Sequence, residues 1–256
     1  MSNNFETKIN QLLQQQPKNV VYTSSWMVQN GYSLELQRTY RNSKWFQSIG
    51  EGAMVRSGEI VNYLGALYAL QKQLGMAVHL GGKTALEFQG LLHYLNFSQT
   101  EVTLFGGSGV RLPTWFEKGQ WKTPISYQTS NFLPAKASLI SWQATGFEVL
   151  ISSPIRAFLE LLLLLKESAE YVPIYEILLG MNNLHPKDVQ AILEVCSSVK
   201  VKRLFLFMAE KTGHSWFNYL NIEDMELGRG KRSLVNEGVY DYKYKITVPK
   251  DLMLYE

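Results

Sequence analysis

Cysteine is nearly missing from this chain, whose 256 residues hold a single one, Cys196. One thiol closes no internal disulfide and builds no cysteine-based zinc site, so redox and zinc-finger classes drop out. Histidine is scarce as well. His79, His93, His185 and His214 form no i, i+4 pair, each reads as structural, and neither a metal nor another cofactor is expected. Long apolar runs are absent: the longest, 157–165, is interrupted by Glu160 and falls far short of the roughly 20 residues a membrane crossing needs. No transmembrane segment and no membrane partner is expected. The N-terminus, MSNNFETKINQ, has the features of neither a signal nor a transit peptide, which predicts a cytoplasmic protein.

What is present is core. Hydrophobic residues make up 46% and aromatic residues 12%, enough to exclude disorder, and the length allows one large domain or two modest ones, two being favoured. The net charge of +3 names no partner, but its distribution is uneven: residues 1–58 carry six cations against three anions, 59–198 nine against eleven, and 199–256 ten against eight. The chain reads basic, acidic, basic.

Apolar periodicity predicts a helix over 4–16 ending at Pro17 and a very short helix after Thr23-Ser24-Ser25. Asn30-Gly31 supplies a turn, and a third helix over 34–43 is capped by Ser33. In that third helix Leu36 and Tyr40 define the apolar line, while Gln37, Arg38, Arg41 and Lys44 lie mostly off it. Strand character at 45–49 and 53–56 surrounds Gly50-Glu51-Gly52 and predicts a hairpin. A longer helix is expected over 60–74, then a strand-like MAVHL, a helix from Thr84, and a small sheet from the runs VTLF, PISYQ, SLISW and FEVLIS. Helices follow at 154–166, 172–179, 186–196 and 199–211. The alternation in GVYDYKYKITVP predicts one closing strand.

Helix, helix, turn, helix and hairpin make a winged helix-turn-helix. Its reading helix fits the major groove, where Arg bonds guanine and Gln or Asn bonds adenine. Gln37, Arg38, Arg41 and Asn42 are residues of those types, Ser33 and the helix start suit a phosphate, and Lys44 and Arg56 would be phosphate contacts beside the wing. Winged helices also bind proteins, so the pattern by itself leaves DNA binding and protein binding open. Near the C-terminus, Lys200, Lys202 and Arg203 on one side, and Arg229, Lys231 and Arg232 on the other, are candidates for one basic face that touches nucleic acid or an acidic partner.

Catalytic motifs fall short. Gly82-Lys83-Thr84 resembles the end of a phosphate-binding loop, but Ala77 stands where its first glycine belongs. Val110 stands where a nucleophile elbow around Ser108 needs glycine. Cys196 lies on an apolar stripe and reads as buried, Glu223, Asp224 and Glu226 form an unmatched acidic turn, and residues 161–165 read as core helix.

The blocks SLELQRTYRNSKWFQSIGEGAMVR (33–56), GALYALQKQLGMAVHLGGKTALEFQG (65–90), ISSPIRAFLELL (151–162), KVKRLFLF (200–207) and LGRGKRSLVNEGVYDYKYKITVP (227–249) occur in this order over nearly the whole chain. With them the sequence resembles the AbiEi-family antitoxins of bacterial type IV toxin-antitoxin and phage-abortive systems. The resemblance implies a protein of two functions. An N-terminal winged helix represses its own operon at promoter DNA with inverted repeats, and a C-terminal domain serves as antitoxin against a nucleotidyltransferase-like toxin, without a stable complex being required. The expected architecture is α+β: residues 1–95 with the winged helix-turn-helix at about 5–57 and a helical extension at 58–95, then a mixed α+β antitoxin domain at 96–256. No enzyme activity is expected. The rival readings are a winged-helix module that binds only protein, and an enzyme that inactivates the toxin covalently.

Overall fold

A computed structural model describes residues 7–92 and 101–255. The first helix is α1 (Lys8–Gln15); the expected start at residue 4, with Phe5, and His93 lie outside the described residues. Strand β1 (Tyr22–Thr23) leads into α2 (Ser24–Gln29), a turn at Asn30-Gly31, and α3 (Leu34–Asn42). The hairpin β2 (Phe46–Gly50) and β3 (Ala53–Arg56) follows, and β3 pairs with both β1 and β2 in the order β1-β3-β2. The helix expected over 60–74 is shorter and changes pitch. Asn62 caps α4 (Tyr63–Tyr68) by accepting from Leu64 N and Gly65 N, and the chain continues as a π-helix over Ala69–Gln73.

Next come β4 (Val78–Leu80), α5 (Gly82–Phe88), β5 (Val102–Gly106) and the single turn α6 (Thr114–Glu117). Strands β6 (Ile125–Thr129), β7 (Leu139–Ala144) and β8 (Phe147–Ser152) complete a five-stranded sheet of order β6-β5-β4-β8-β7. The expected small sheet is therefore wider, because β4 joins it. Helices α7 (Pro154–Leu164), α8 (Tyr171–Gly180), α9 (Pro186–Val195) and α10 (Val199–Thr212) fall close to the predicted ranges. The closing segment differs. In place of one strand it forms β10 (Val239–Asp241) and β11 (Ile246–Val248), paired antiparallel, with β9 (Arg232–Ser233) parallel on the far edge of β11 and α11 (Lys250–Leu254) after it. Alternation continues through 238–248, but Lys245 at φ 53° lies in the turn that folds the segment back.

By their contacts the residues divide into two compact units. The first is Met1–His79 with Gly109–Pro124 and Ser141–Leu150; the second is Leu80–Ser108 with Ile125–Ile140 and Ile151–Glu256. The core of the first unit gathers Leu12, Tyr22, Met27, Tyr40, Phe46 and Leu67. Phe46 meets Tyr22 edge-on at 4.9 Å and Tyr40 at 6.2 Å, so strand and third helix share one aromatic cluster. The second unit is built on α7 and α10, where Phe158, Leu159, Leu162, Phe205 and Leu206 are fully buried. Among the described residues no helix is long and apolar enough to cross a membrane.

Candidate nucleic-acid interface

Helix α3 is held by polar as well as apolar anchors. Ser33 Oγ accepts from Leu36 N at 3.2 Å, so the Ser33 side chain is spent as the N-cap. Gln37, expected to read bases, is buried instead. Its Nε2 donates to Ser24 O (3.2 Å) and Tyr32 O (2.9 Å), and its Oε1 accepts from Ser24 Oγ (2.7 Å). This amide pins α3 to α2 and to the turn between them. The buried face of α3 is Gln37 with Tyr40, while Leu36 lies at its margin. A polar side chain can occupy that face because each of its hydrogen-bonding atoms finds a partner.

The opposite face is open. Arg38, Asn42 and Lys44 are exposed and Arg41 is partly so, and the side chains of Arg38 and Arg41 enter no hydrogen bond or ion pair among the described residues. Lys44 adopts φ 57° where the chain turns from α3 into β2. Arg41 lies in the last helical turn, where a cation also favours the helix dipole.

Arg56, expected beside the wing as a phosphate contact, is committed inward. Its Nε donates to Tyr22 Oη at 2.6 Å and its Nη2 to the carbonyls of Leu13 (2.8 Å) and Gln16 (2.7 Å), with Glu59 at 3.6 Å as ion partner. A helix leaves its last carbonyls without internal donors, and this guanidinium supplies them to the end of α1. Burial raises the Tyr22 hydroxyl from 10.0 to about 12, with Arg56 partly opposing. The hairpin is also backed from within its unit. Gly50 of β2 lies so close to α6 that an added Cβ would meet Trp115 Cβ at 2.9 Å. A cleft of about 330 Å³ between the hairpin and the following turn is lined by Gln47, Ile49, Val55, Lys118 and Trp121.

The C-terminal basic candidates do not share a face. Lys202 and Arg203 are buried, 4% and 1% exposed, and Lys200 is half-buried. Arg203 donates through Nε to Leu227 O (2.7 Å), through Nη1 to Gly230 O (2.7 Å) and Lys245 O (3.2 Å), and through Nη2 to Gly228 O (2.9 Å). It therefore lies beneath the loop it was expected to accompany. Burial, and then Arg232, lower its pKa. Arg229, Lys231 and Arg232 remain exposed.

The motifs set aside in the sequence have internal partners. At Gly82-Lys83-Thr84 the Glu160 carboxylate accepts from Gly82 N (2.9 Å) and from Ser152 Oγ (2.7 Å), and Arg156 Nε donates to its other oxygen (2.9 Å). A side chain of this chain thus occupies the backbone amide that a phosphate would need, and a Cβ at Gly81 would run into the same carboxylate. Cys196 is buried and its thiol is pushed up by that burial. His214 Nε2 lies 2.9 Å from Leu178 O, and Asn221 Nδ2 donates to Asp224 in the acidic turn.

A helix-turn-helix whose third helix turns cations to solvent, followed by a hairpin and a larger α+β body, has the build of a transcriptional regulator. The chain belongs to the AbiEi antitoxin family of type IV toxin-antitoxin transcriptional regulators. Residues 5–97 match the family's N-terminal domain and residues 99–249 match its AbiEi antitoxin region. In fold it is similar to the RV2827C protein from Mycobacterium tuberculosis, at TM-score 0.53 and 16% identity, over 90% of this chain and 86% of that one. Among curated proteins none matches the chain.

Proposed function

We propose that this chain is a cytoplasmic, non-enzymatic antitoxin that binds promoter DNA with inverted repeats and represses its own operon. In this reading residues of about 5–57 act as a winged helix, with 58–95 as a helical extension and 96–256 as the antitoxin domain. Arg38, Arg41 and Asn42 meet base edges in the major groove, and Lys44 meets the phosphate backbone. The functional partner is a nucleotidyltransferase-like toxin, with no stable complex required. The observation that carries the reading is the division of α3, with Gln37 and Tyr40 locked inward, Arg38 exposed and Arg41 partly exposed.

Titrating a duplex of the chain's own promoter against rising salt tests it. Affinity should fall steeply, because each neutralised phosphate releases counterions. Arg38→Ala and Arg41→Ala should each weaken operator binding by roughly 1–3 kcal/mol. Unchanged affinity in both variants, or no binding to the duplex at low salt, refutes the assignment and favours a module that meets only protein.

A further inference from the structure

The three-stranded sheet near the C-terminus has two unlike faces. Register places Ile246 opposite Asp241 and Arg232, and Val248 opposite Val239; Ile246 and Val248 are fully buried. Because side chains alternate along a strand, Tyr240, Thr247 and Ser233, paired in the same register, share the other face. Lys231, just before β9, and Tyr242, in the turn just after β10, adjoin that row. Contacts agree: Lys231 Nζ stands 4.9 Å from the centre of the Tyr240 ring, and Tyr240 meets Tyr242 edge-on at 4.9 Å. Tyr242 is 83% exposed, the most open large aromatic in the described structure.

The surroundings are cationic. Arg229 and Lys245 are exposed nearby, while Asp241 turns its carboxylate to Tyr244 N at 2.7 Å. Glu210 is engaged by Lys243 and by the Tyr244 hydroxyl. Glu237 is the exposed acid of the segment. Arg203 holds the 227–230 loop from below through its backbone carbonyls, so Arg229 and Lys231 are presented from a fixed support.

A bare aromatic ring, hydroxyls and cations on one sheet face fit a chain of bases and phosphates whose base faces are free. Duplex DNA offers no such faces, because its bases are already stacked on one another. We propose that this face binds single-stranded nucleic acid: one unpaired base stacks on Tyr242, and the flanking phosphates lie against Lys231 and Arg229. Phosphate attraction supplies salt-dependent affinity, stacking supplies the preference for unpaired bases, and α3 takes no part.

Fluorescence anisotropy of labelled 12-residue oligouridylate and oligothymidylate on the full chain tests this. Binding of either strand should fall about tenfold or more in Tyr242→Ala, be restored in Tyr242→Phe, and weaken in Lys231→Glu with a shallower salt dependence. Arg38→Ala with Arg41→Ala should leave single-strand binding intact, and Tyr242→Ala should leave promoter binding intact, so the two readings fail separately. No single-strand binding at low salt, equal binding by Tyr242→Ala, or equal competition from a duplex of the same length would overturn the proposal. Loss of toxin neutralisation in Lys231→Glu without any oligonucleotide binding would also overturn it, in favour of an acidic protein partner.

Discussion

Gln37 and Arg38 are neighbours in the chain and opposite in fate. Both are polar residues of a kind that reads bases, but the helical turn of about 100° per residue carries one into the core and the other into water. Removing the Gln37 amide leaves the Tyr32 carbonyl and the Ser24 groups without their partner, so Gln37→Ala should destabilise the chain by about 1–3 kcal/mol in urea unfolding. Helical periodicity names the two possible faces of α3, but whether a glutamine is buried depends on what surrounds it. Arg56 and Arg203 make the same point: arginine reads as surface until a set of bare backbone carbonyls is found around it. Tyr22 carries a pH signature. Its hydroxyl titrates near 12 in the folded chain and near 10.0 when unfolded, so its contribution is complete below pH 10 and is lost as pH rises through 12. Alkaline unfolding followed from pH 9 to 12 should show this loss, and Tyr22→Phe should show a correspondingly flatter limb.

Elements were legible where local signals were strong. The cap at Ser33, the start of α7 at Pro154 and the Gly50-Glu51-Gly52 turn sit where spacing and residue type placed them. They were less legible where a partner strand or a change of pitch decides. Gln73, in the π-helical stretch, accepts from Thr23 N at 2.8 Å and donates to Val21 O at 2.7 Å, a pairing across some fifty residues that periodicity does not report. The hairpin of β2 and β3 has a similar hidden dependence on α6. Gly50→Val would press a branched side chain into Trp115, and overpacking of this kind typically costs about 1–3 kcal/mol. The variant should unfold at lower urea and bind the promoter more weakly, while Gly52→Ala, whose Cβ meets nothing within 4 Å, should bind close to the parent chain once its backbone strain is discounted.

At the scale of the molecule, the compact unit that contains the helix-turn-helix is not continuous in sequence. It borrows Gly109–Pro124 and Ser141–Leu150, both from the stretch matched by the antitoxin region of the family. Trp115 and Phe116 are buried there, and Trp121 lines the cleft beside Val55. A chain ending at residue 97, the close of the N-terminal family match, lacks all three aromatics. It should therefore lose roughly 3 kcal/mol or more of stability, bind an apolar dye, and unfold at lower urea than the same helices do in the full chain. Equal stability of the truncated chain would show that the borrowed segments contribute nothing.

Composition, caps, turns and apolar period by themselves determined an α+β protein that begins with helix, turn, helix and hairpin, because those signals act between residues a few positions apart. Tertiary structure alone decided which arginines face water, which glutamine is core, and that the closing segment is a hairpin rather than one strand. Those outcomes depend on satisfying buried carbonyls and amides with donors far away in the chain, and separation in sequence carries no trace of that pairing.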